Sequence, residues 1–353
     1  MRVQYLYRAV SNVKVQLGTV RHVVIVTKPD DPFLVPLTRE VTIWLLETYA
    51  ALTVHVNSTM QSDTRFKADE MRVRYGARTK YWNEDIAKHV HIDLVVTLGG
   101  DGTVLYAANL FQRHVPVIVP FHLGSLGFLT IFNFENYRRY LSAIIDNGGM
   151  LVNLRMRIDC SVYKRRSEVK DAGTAGTAGE KILEKQVLNE LVVDRGANAG
   201  MVQLDLFADD VPFTTILADG LVIGMCPARA LSANGSLVHP EKNSVLVTPI
   251  CPHTLTCRPM IIPGTKRLRV VVAHQSRTTA WASFDGRNRI QLNHGDSIVV
   301  TAGRYPVITV SRENQSTDWF SSLREVLNWN ERKMQKPLLT PCSVSEFSDH
   351  GRD

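Results

Sequence analysis

The chain has few of the features that mark secreted, membrane-spanning or zinc-binding proteins. Its five cysteines are odd in number and widely spaced, and none forms a Cys-x-x-Cys pair, which argues against a disulfide framework or a zinc site. No apolar run approaches the roughly 18 residues that a membrane-spanning helix needs, and no signal-peptide core precedes a small-residue cleavage site. We therefore expect a cytoplasmic protein that does not bind a membrane.

The amino-terminal segment leaves a second location open. Residues 1–29 contain five basic side chains and no acidic residue precedes Asp30. This composition is typical of a mitochondrial transit segment, although chance explains it equally well over so short a stretch. Mitochondrial import therefore stays the alternative to the cytoplasm.

Basic side chains outnumber acidic ones, but they are not gathered into a patch. The net charge of +7 and the isoelectric point near 9.2 favour anionic ligands. No cluster of lysine and arginine with interleaved aromatic residues is present, which argues against nucleic acid as a partner. Phosphorylated small molecules fit the composition better.

The hydrophobic pattern divides the 353 residues into two halves. In the first half, apolar strands such as HVVIVT at 22–27 alternate with helical stretches such as 37–49, which predicts a parallel sheet covered on both faces. Beyond residue 149, short β-branched runs separated by turn residues predict a β-rich half. The pattern predicts an extension at 1–20, an α/β domain at 21–149, a β-rich domain at 150–311, and a carboxyl-terminal helix and tail at 312–353.

The stretch LGGDGT at 98–103 lies where an apolar strand turns into a helix. In open parallel sheets, ligands bind at this end of the strands, where the first amides of the following helix are unpaired. Glycines let backbone amides approach phosphate oxygens, Asp101 would project a carboxylate into the crevice, and Thr103 is placed to cap the helix. A plain strand–helix corner, capped by Asp101 and Thr103, also fits this stretch alone. The candidate phosphate-loop residues are Gly99, Gly100, Asp101, Gly102 and Thr103.

The loop is neither a P-loop nor a GxGxxG loop, because the lysine of the first and the glycine spacing of the second are missing. A carboxylate near a sugar hydroxyl can orient it and accept its proton during attack on a γ-phosphoryl group. Positioning and charge neutralisation supply most of such catalysis. We therefore expect a divalent metal on the phosphates, and the sequence assigns no protein ligand to it.

Five segments in a fixed order resemble the motifs of one family. LGGDGT and FHLGSLGFLT at 121–130 together resemble the NAD kinase family. VLNELVVDRG at 187–196 and ADGLVIG at 218–224 resemble its later motifs, and the segments TPICPH and AWASFDG resemble its eukaryotic branch. GGDGT alone is shared with lipid and sphingoid-base kinases, which makes such a kinase a further hypothesis, but the ordered set is specific to NAD kinases.

The resemblance implies a kinase that transfers the γ-phosphoryl group of ATP to the 2′-hydroxyl of the adenosine ribose of NAD, with Mg²⁺ or another divalent metal. It implies Asp101 as the base and Phe128 against the adenine. It implies Asn189 and Glu190 as dinucleotide contacts, and Asp219 as a carboxylate that binds the nucleotide from the other domain. The implied fold pairs an α/β domain with a β-sandwich domain, the dinucleotide lies in the cleft between them, and the chain forms a homodimer or homotetramer.

The third motif departs from the family pattern. The family usually reads DGxxxxTPTGSTAYxxSAGG, whereas this chain reads DGLVIGMCPARALSANGS at 219–236 and has four residues fewer between Pro227 and Ser232. Arg229 stands at the place of the tyrosine, and Ser232 remains as a candidate contact. Three explanations stay open: an active kinase with a rebuilt loop, a catalytically impaired relative that binds nucleotide, and a chain that has lost a few codons.

Overall fold

Three sheets organise the chain, whose computed structural model describes residues 13–29, 31–146, 149–165, 179–225, 232–254 and 256–328. The first sheet has nine strands, and its central strands are parallel. Its spatial order is β1-β8-β21-β6-β5-β2-β3-β4, with β7 beside β6. These strands are β1 (Val13–Gln16), β2 (His22–Thr27), β3 (Thr53–Asn57), β4 (Thr79–Trp82), β5 (Leu94–Leu98), β6 (Val117–His122), β7 (Phe132–Asn133), β8 (Gly149–Arg155) and β21 (Val307–Val310).

Helices cover both faces of the first sheet, as the alternating pattern predicts. Successive residues of β2 show this: Val23 and Ile25 lie in one buried cluster, and Val24 and Val26 lie in another. A strand buried on both faces reads as a continuous apolar run, which is why HVVIVT was recognisable. The helices of this region are α1 (Leu34–Thr48), α2 (Ala68–Tyr75), α3 (Ile86–His89), α4 (Asp101–Leu110) and α5 (Tyr137–Asp146).

The second region is a sandwich of two antiparallel sheets with six strands each. Their orders are β10-β9-β20-β17-β12-β13 and β16-β15-β14-β11-β18-β19. Side chains from both sheets, such as Leu204 and Leu191, share one buried cluster. The strands are β9 (Ile158–Arg165), β10 (Gly179–Val187), β11 (Glu190–Asp194), β12 (Val202–Ala208), β13 (Val211–Ala218), β14 (Gly220–Gly224), β15 (Ser244–Ile250), β16 (Met260–Pro263), β17 (Leu268–Val272), β18 (Ala280–Phe284), β19 (Arg287–Leu292) and β20 (Ser297–Ala302). The predicted fold class, an α/β domain followed by a β-sandwich-like domain, is confirmed.

The two regions do not divide where the sequence pattern changes. β8 and β21 lie within the predicted β-rich domain, yet they pair with each other in the first sheet, and β21 also pairs with β6. β1, within the predicted extension, pairs with β8 in the same sheet. The boundaries at 20, 149 and 311 are therefore not those of the sheets, because pairing between distant strands is a tertiary contact that local periodicity does not encode.

A helix follows the last strand, within the predicted range of 312–353. α6 spans Gln315–Leu327, and the Asn314 side chain caps it by accepting a hydrogen bond from the Thr317 amide at 2.8 Å. Within the described ranges, no helix has the length and apolar character that crossing a membrane requires.

Candidate active site

The GGDGT loop joins β5 to α4 at the carboxyl edge of the parallel strands, as predicted. Neither Asp101 nor Thr103 caps the helix: Gly100 occupies the cap position, and no side chain bonds the first-turn amides. The prediction that Thr103 caps α4 is therefore wrong. Its hydroxyl lies buried beneath Gly99, where a Cβ would collide with it, and Gly99 also adopts a φ of +148°. No atom lies within 4 Å of a Cβ built on Gly100 or Gly102, so open space borders the loop.

The Asp101 carboxylate binds three successive backbone amides of the LGFLT segment. Its Oδ2 accepts a hydrogen bond from the Phe128 amide at 2.9 Å, and its Oδ1 accepts from the amides of Leu129 at 3.0 Å and Thr130 at 3.1 Å. The Thr130 hydroxyl donates to the same Oδ1 at 3.0 Å. Hydrogen bonds to an ionised acceptor are the stronger kind, so these four bonds fix both the carboxylate and the loop. A plain strand–helix corner does not require hydrogen bonds of this kind to a distant segment.

Gly127 is required by the same contact. A Cβ there would overlap both Asp101 Oδ1 and Thr130 Oγ1. The two segments LGGDGT and LGSLGFLT therefore form one structure around one carboxylate. Phe128, predicted to face the adenine, is half-buried and belongs to none of the buried clusters of the described residues. The prediction that it lies against the adenine stays a prediction.

A second aspartate holds the Asn-Glu motif in the same way. Asp285 Oδ2 accepts a hydrogen bond from the Leu188 amide at 2.9 Å, and its Oδ1 accepts from Asn189 at 2.8 Å and Glu190 at 3.0 Å. Burial raises the pKa of the Asp285 carboxyl, and the three amides oppose that shift. Sequence reasoning missed Asp285 as a site residue, although the Asp-Gly pair of AWASFDG carried the signal, because such pairs occupy tight turns.

We call the hydrogen bonds of Asp101 to the amides of 128–130 the Asp101 clamp, and those of Asp285 to the amides of 188–190 the Asp285 clamp. A small cavity lies between the two clamped segments. It has a volume of about 30 Å³, and Leu129 lines it from one segment and Asn189 from the other. Arg155 and Lys242 add basic groups to its wall. Asn189 is 8% exposed, and its Oδ1 has no hydrogen-bond partner among the described residues. A buried polar atom without a partner is costly, so it points to a ligand that supplies the missing donor.

Asp219 does not join this cluster in the chain. Asp219 bonds Arg195 at 2.8 Å, next to the end of β14 that pairs with Asp194, whereas Glu190 pairs with the other end. At about 3.3 Å per residue, Asp219 lies roughly 20 Å along the sheet from Asn189. Ser232 is exposed, and the shortened segment at 226–231 lies outside the described residues.

A larger crevice of about 650 Å³ lies beside the GGDGT loop, at the carboxyl ends of β2 and β3. Lys28, Arg65 and Arg287 supply positive charge to its wall. The Arg287 guanidinium lies 4.6 Å from the centre of the Tyr106 ring on α4. Asp31, Asp63 and Glu84 also line the crevice, but no group of three described His, Cys, Asp or Glu side chains is arranged to hold a metal ion. Carboxylate oxygens are the donors that this wall offers to a metal ion, and Mg²⁺ commonly takes one or two of them together with substrate phosphates.

Family models match most of the chain. Residues 23–150 match the ATP-NAD kinase N-terminal domain, and residues 188–311 match the ATP-NAD kinase C-terminal domain. The first match contains the Asp101 clamp, and the second contains the Asp285 clamp.

Relatives and solved structures agree with these models. The chain is 39% identical to an ATP-NADH kinase of Saccharomyces cerevisiae over 99% of its own length and 74% of that protein. It is 43% identical to the NAD(+) kinase of the same yeast, over 95% of this chain and 64% of that protein, so it spans just under two thirds of that relative. The yeast NADH kinase complexed with NADH matches at a TM-score of 0.76, with 27% identity, 90% of this chain and 91% of that chain covered. An NAD kinase of Archaeoglobus fulgidus in complex with ATP shares the fold, at a TM-score of 0.61 and 21% identity over 86% of this chain and 99% of that chain. This chain belongs to the NAD kinase family.

Proposed function

We propose that the chain transfers the γ-phosphoryl group of ATP to the 2′-hydroxyl of the adenosine ribose of NAD, forming NADP. The observation that carries this proposal is the Asp101 carboxylate, which three backbone amides hold at the carboxyl edge of the first sheet. The loop around it adjoins both the cavity at Asn189 and the charged crevice at Lys28. The names of the relatives support NAD or NADH as the acceptor and ATP as the donor.

The two spaces suit the two substrates. The half-buried ring of Phe128 and the partnerless Oδ1 of Asn189 support a place for the adenosine end of NAD beside the small cavity. The larger crevice has the volume for a nucleotide triphosphate, and Lys28, Arg65 and Arg287 offer it donors beside the carboxylates of Asp31, Asp63 and Glu84. Magnesium would enter with ATP and neutralise charge on the transferred phosphoryl group.

Asp101 would act as the base in this reaction. Among the described residues, its Oδ2 accepts one hydrogen bond, from Phe128, whereas Oδ1 accepts three, so Oδ2 has lone-pair capacity for a ribose hydroxyl. As the ribose oxygen bonds to the γ-phosphorus, its proton passes to Asp101 and the bond from that phosphorus to the β-γ bridging oxygen breaks. ADP leaves, and the NADP 2′-phosphate remains.

An assay of NADP formation with the full chain tests the proposal. We expect Asp101→Asn to lower kcat by about 100-fold or more, because general-base catalysis contributes about 10²–10⁴-fold. Asp69→Asn is the matched control, since Asp69 lies exposed on α2 and pairs only with a surface arginine in the described contacts. Equal rates for Asp101→Asn and the wild type would remove Asp101 from the chemistry.

The impaired relative, which the shortened third motif suggests, makes a different prediction for the same assay. It would bind NAD in a calorimeter without forming NADP, whereas turnover by the wild type would exclude it. A lipid or sphingoid-base kinase would phosphorylate a lipid alcohol and leave NAD unchanged.

A homodimer or homotetramer is part of the proposal. Asp219 lies roughly 20 Å along its sheet from Asn189, and a second copy that brings this carboxylate to the dinucleotide would account for the implied contact. Light scattering of the purified chain measures the assembly, and a monomer at assay concentration would contradict it.

A further inference from the structure

A second large cavity opens at the edge of the first sheet opposite the GGDGT loop. Its volume is about 530 Å³, and it lies at the amino ends of β5, β6 and β21. This volume falls within the range of small-molecule pockets, about 300–1,000 Å³. The ten residues of α4 separate this edge from Asp101 by about 15 Å, so the cavity is not part of the proposed active site.

The lining combines basic and apolar groups. Arg113, His89, His91 and His114 line it and are exposed, and the described lining contains no carboxylate. Two described acids interact with these basic residues: Asp93 lies 3.6 Å from His91, and Glu184 interacts electrostatically with Arg113. Val115, Tyr305 and Pro306 supply apolar surface to the wall.

Two residues of this cavity, Phe111 and Tyr305, accept hydrogen bonds from Arg157, which anchors the carboxyl end of the helix that carries Asp101. Arg157 is fully buried, and its guanidinium donates to the backbone carbonyls of Phe111 at 2.9 Å and Tyr305 at 2.6 Å. It also donates to the carbonyls of Ala108 and Gln112, at the carboxyl end of α4. A cation at this end of a helix satisfies the last carbonyls and complements the helix dipole. The cavity wall and the anchor of α4 therefore share Phe111 and Tyr305.

We propose that this cavity binds an organic phosphate of nucleotide size. Arg113 supplies a permanent positive charge for the phosphate, and the histidine rings supply N–H donors beside it. The apolar wall at Tyr305 and Pro306 receives the non-phosphate part of the ligand, which inorganic phosphate lacks. The proposal does not depend on kinase activity, because the site shares no lining residue with the Asp101 loop or with Asn189.

Hydrogen–deuterium exchange with AMP as the probe tests the site and locates it in the full chain. We expect AMP to slow amide exchange at 86–92, 111–116 and 303–308 in the wild type. Arg113→Gln/His114→Gln, which changes two exposed side chains, is expected to weaken this protection at least tenfold in apparent Kd. Arg138→Gln, which removes an exposed arginine paired with Glu40 on the same domain, is the matched control and keeps the protection.

Four results would overturn the proposal. Protection confined to 99–103, 127–130 and 188–190 would place AMP in the proposed active site alone. No protection, or protection that the double variant leaves unchanged, would remove the site. Inorganic phosphate protecting the same segments at the same concentration as AMP would exclude an organic ligand. None of these results bears on NADP formation, so a failure here is distinguishable from a failure of the proposed function.

Discussion

Two aspartates in different domains accept the same pattern of backbone hydrogen bonds but have different surroundings. Asp101 accepts hydrogen bonds from the amides of 128–130, and Asp285 accepts them from the amides of 188–190, each over three successive residues. Each aspartate precedes a glycine and fixes a segment that is distant in sequence. Together they hold the two segments that face each other across the small cavity.

The difference lies in what else reaches each carboxylate. Asp101 is half-buried beside open space at Gly100 and Gly102, so a substrate can approach it. Asp285 is also half-buried as a residue, but its carboxyl group is enclosed enough that burial raises its pKa. The same pattern of three amide hydrogen bonds therefore occurs both at a carboxylate that borders open space and at one whose pKa burial raises.

The largest expected effect comes from a variant that disrupts the hydrogen bonds between Asp101 and the amides of 128–130 and leaves Asp101 itself unchanged. Gly127→Ala places a methyl group where Asp101 Oδ1 and Thr130 Oγ1 now lie, so the LGFLT segment must move away from the carboxylate. We expect kcat for NADP formation to fall about 100-fold, the cost of a misplacement of about 1 Å. Gly124→Ala in the same loop is the control, because no atom lies within 4 Å of its Cβ position. Equal activity of the two variants would show that the clamp does not position the site.

The next effect falls on stability. Asp285 has a φ of 48°, which asparagine tolerates, so Asp285→Asn changes the carboxylate with little backbone strain. One buried amide loses its acceptor, and we expect the free energy of unfolding to fall by about 2 kcal/mol. Urea denaturation measures it, with Asp209→Asn as the control: Asp209 also has a positive φ and accepts a backbone amide, but on the surface. A loss no larger than that of the control would contradict a framing role for Asp285.

The smallest expected effect is a pH dependence of the free energy of unfolding that Asp285 contributes. Because the pKa of Asp285 is raised in the folded protein, the folded state binds more protons than the unfolded state between the two pKa values. The contribution of this residue is therefore fully present below the unfolded pKa, about 3.9, and is lost as pH rises through the folded pKa. We expect the difference in unfolding free energy between wild type and Asp285→Asn to be larger at pH 4 than at pH 7. An equal or smaller difference at pH 4 would contradict the raised pKa.

Much of the fold and part of the site could be predicted from local patterns. The run HVVIVT identified a strand buried on both faces, and LGGDGT identified a ligand loop by its glycines and its place after a strand. Asp285 escaped prediction because an Asp-Gly pair reads as a turn, and only the folded chain shows which amides its carboxylate meets. Thr103 reads as a cap by residue type, yet the helix begins at Asp101 and leaves its hydroxyl beneath Gly99.

The sequence by itself determined that an α/β region precedes a β-rich one, the family and the identity of the proposed base, because periodicity and motif order are properties of neighbouring residues. The tertiary structure alone decided that β1, β8 and β21 complete the first sheet, and that Asp101 and Asp285 each hold a distant segment. It also separated Asp219 from Asn189 by the length of a strand. The physical reason is that hydrogen bonds between distant segments depend on how the chain packs, and no local pattern of side chains encodes their partners.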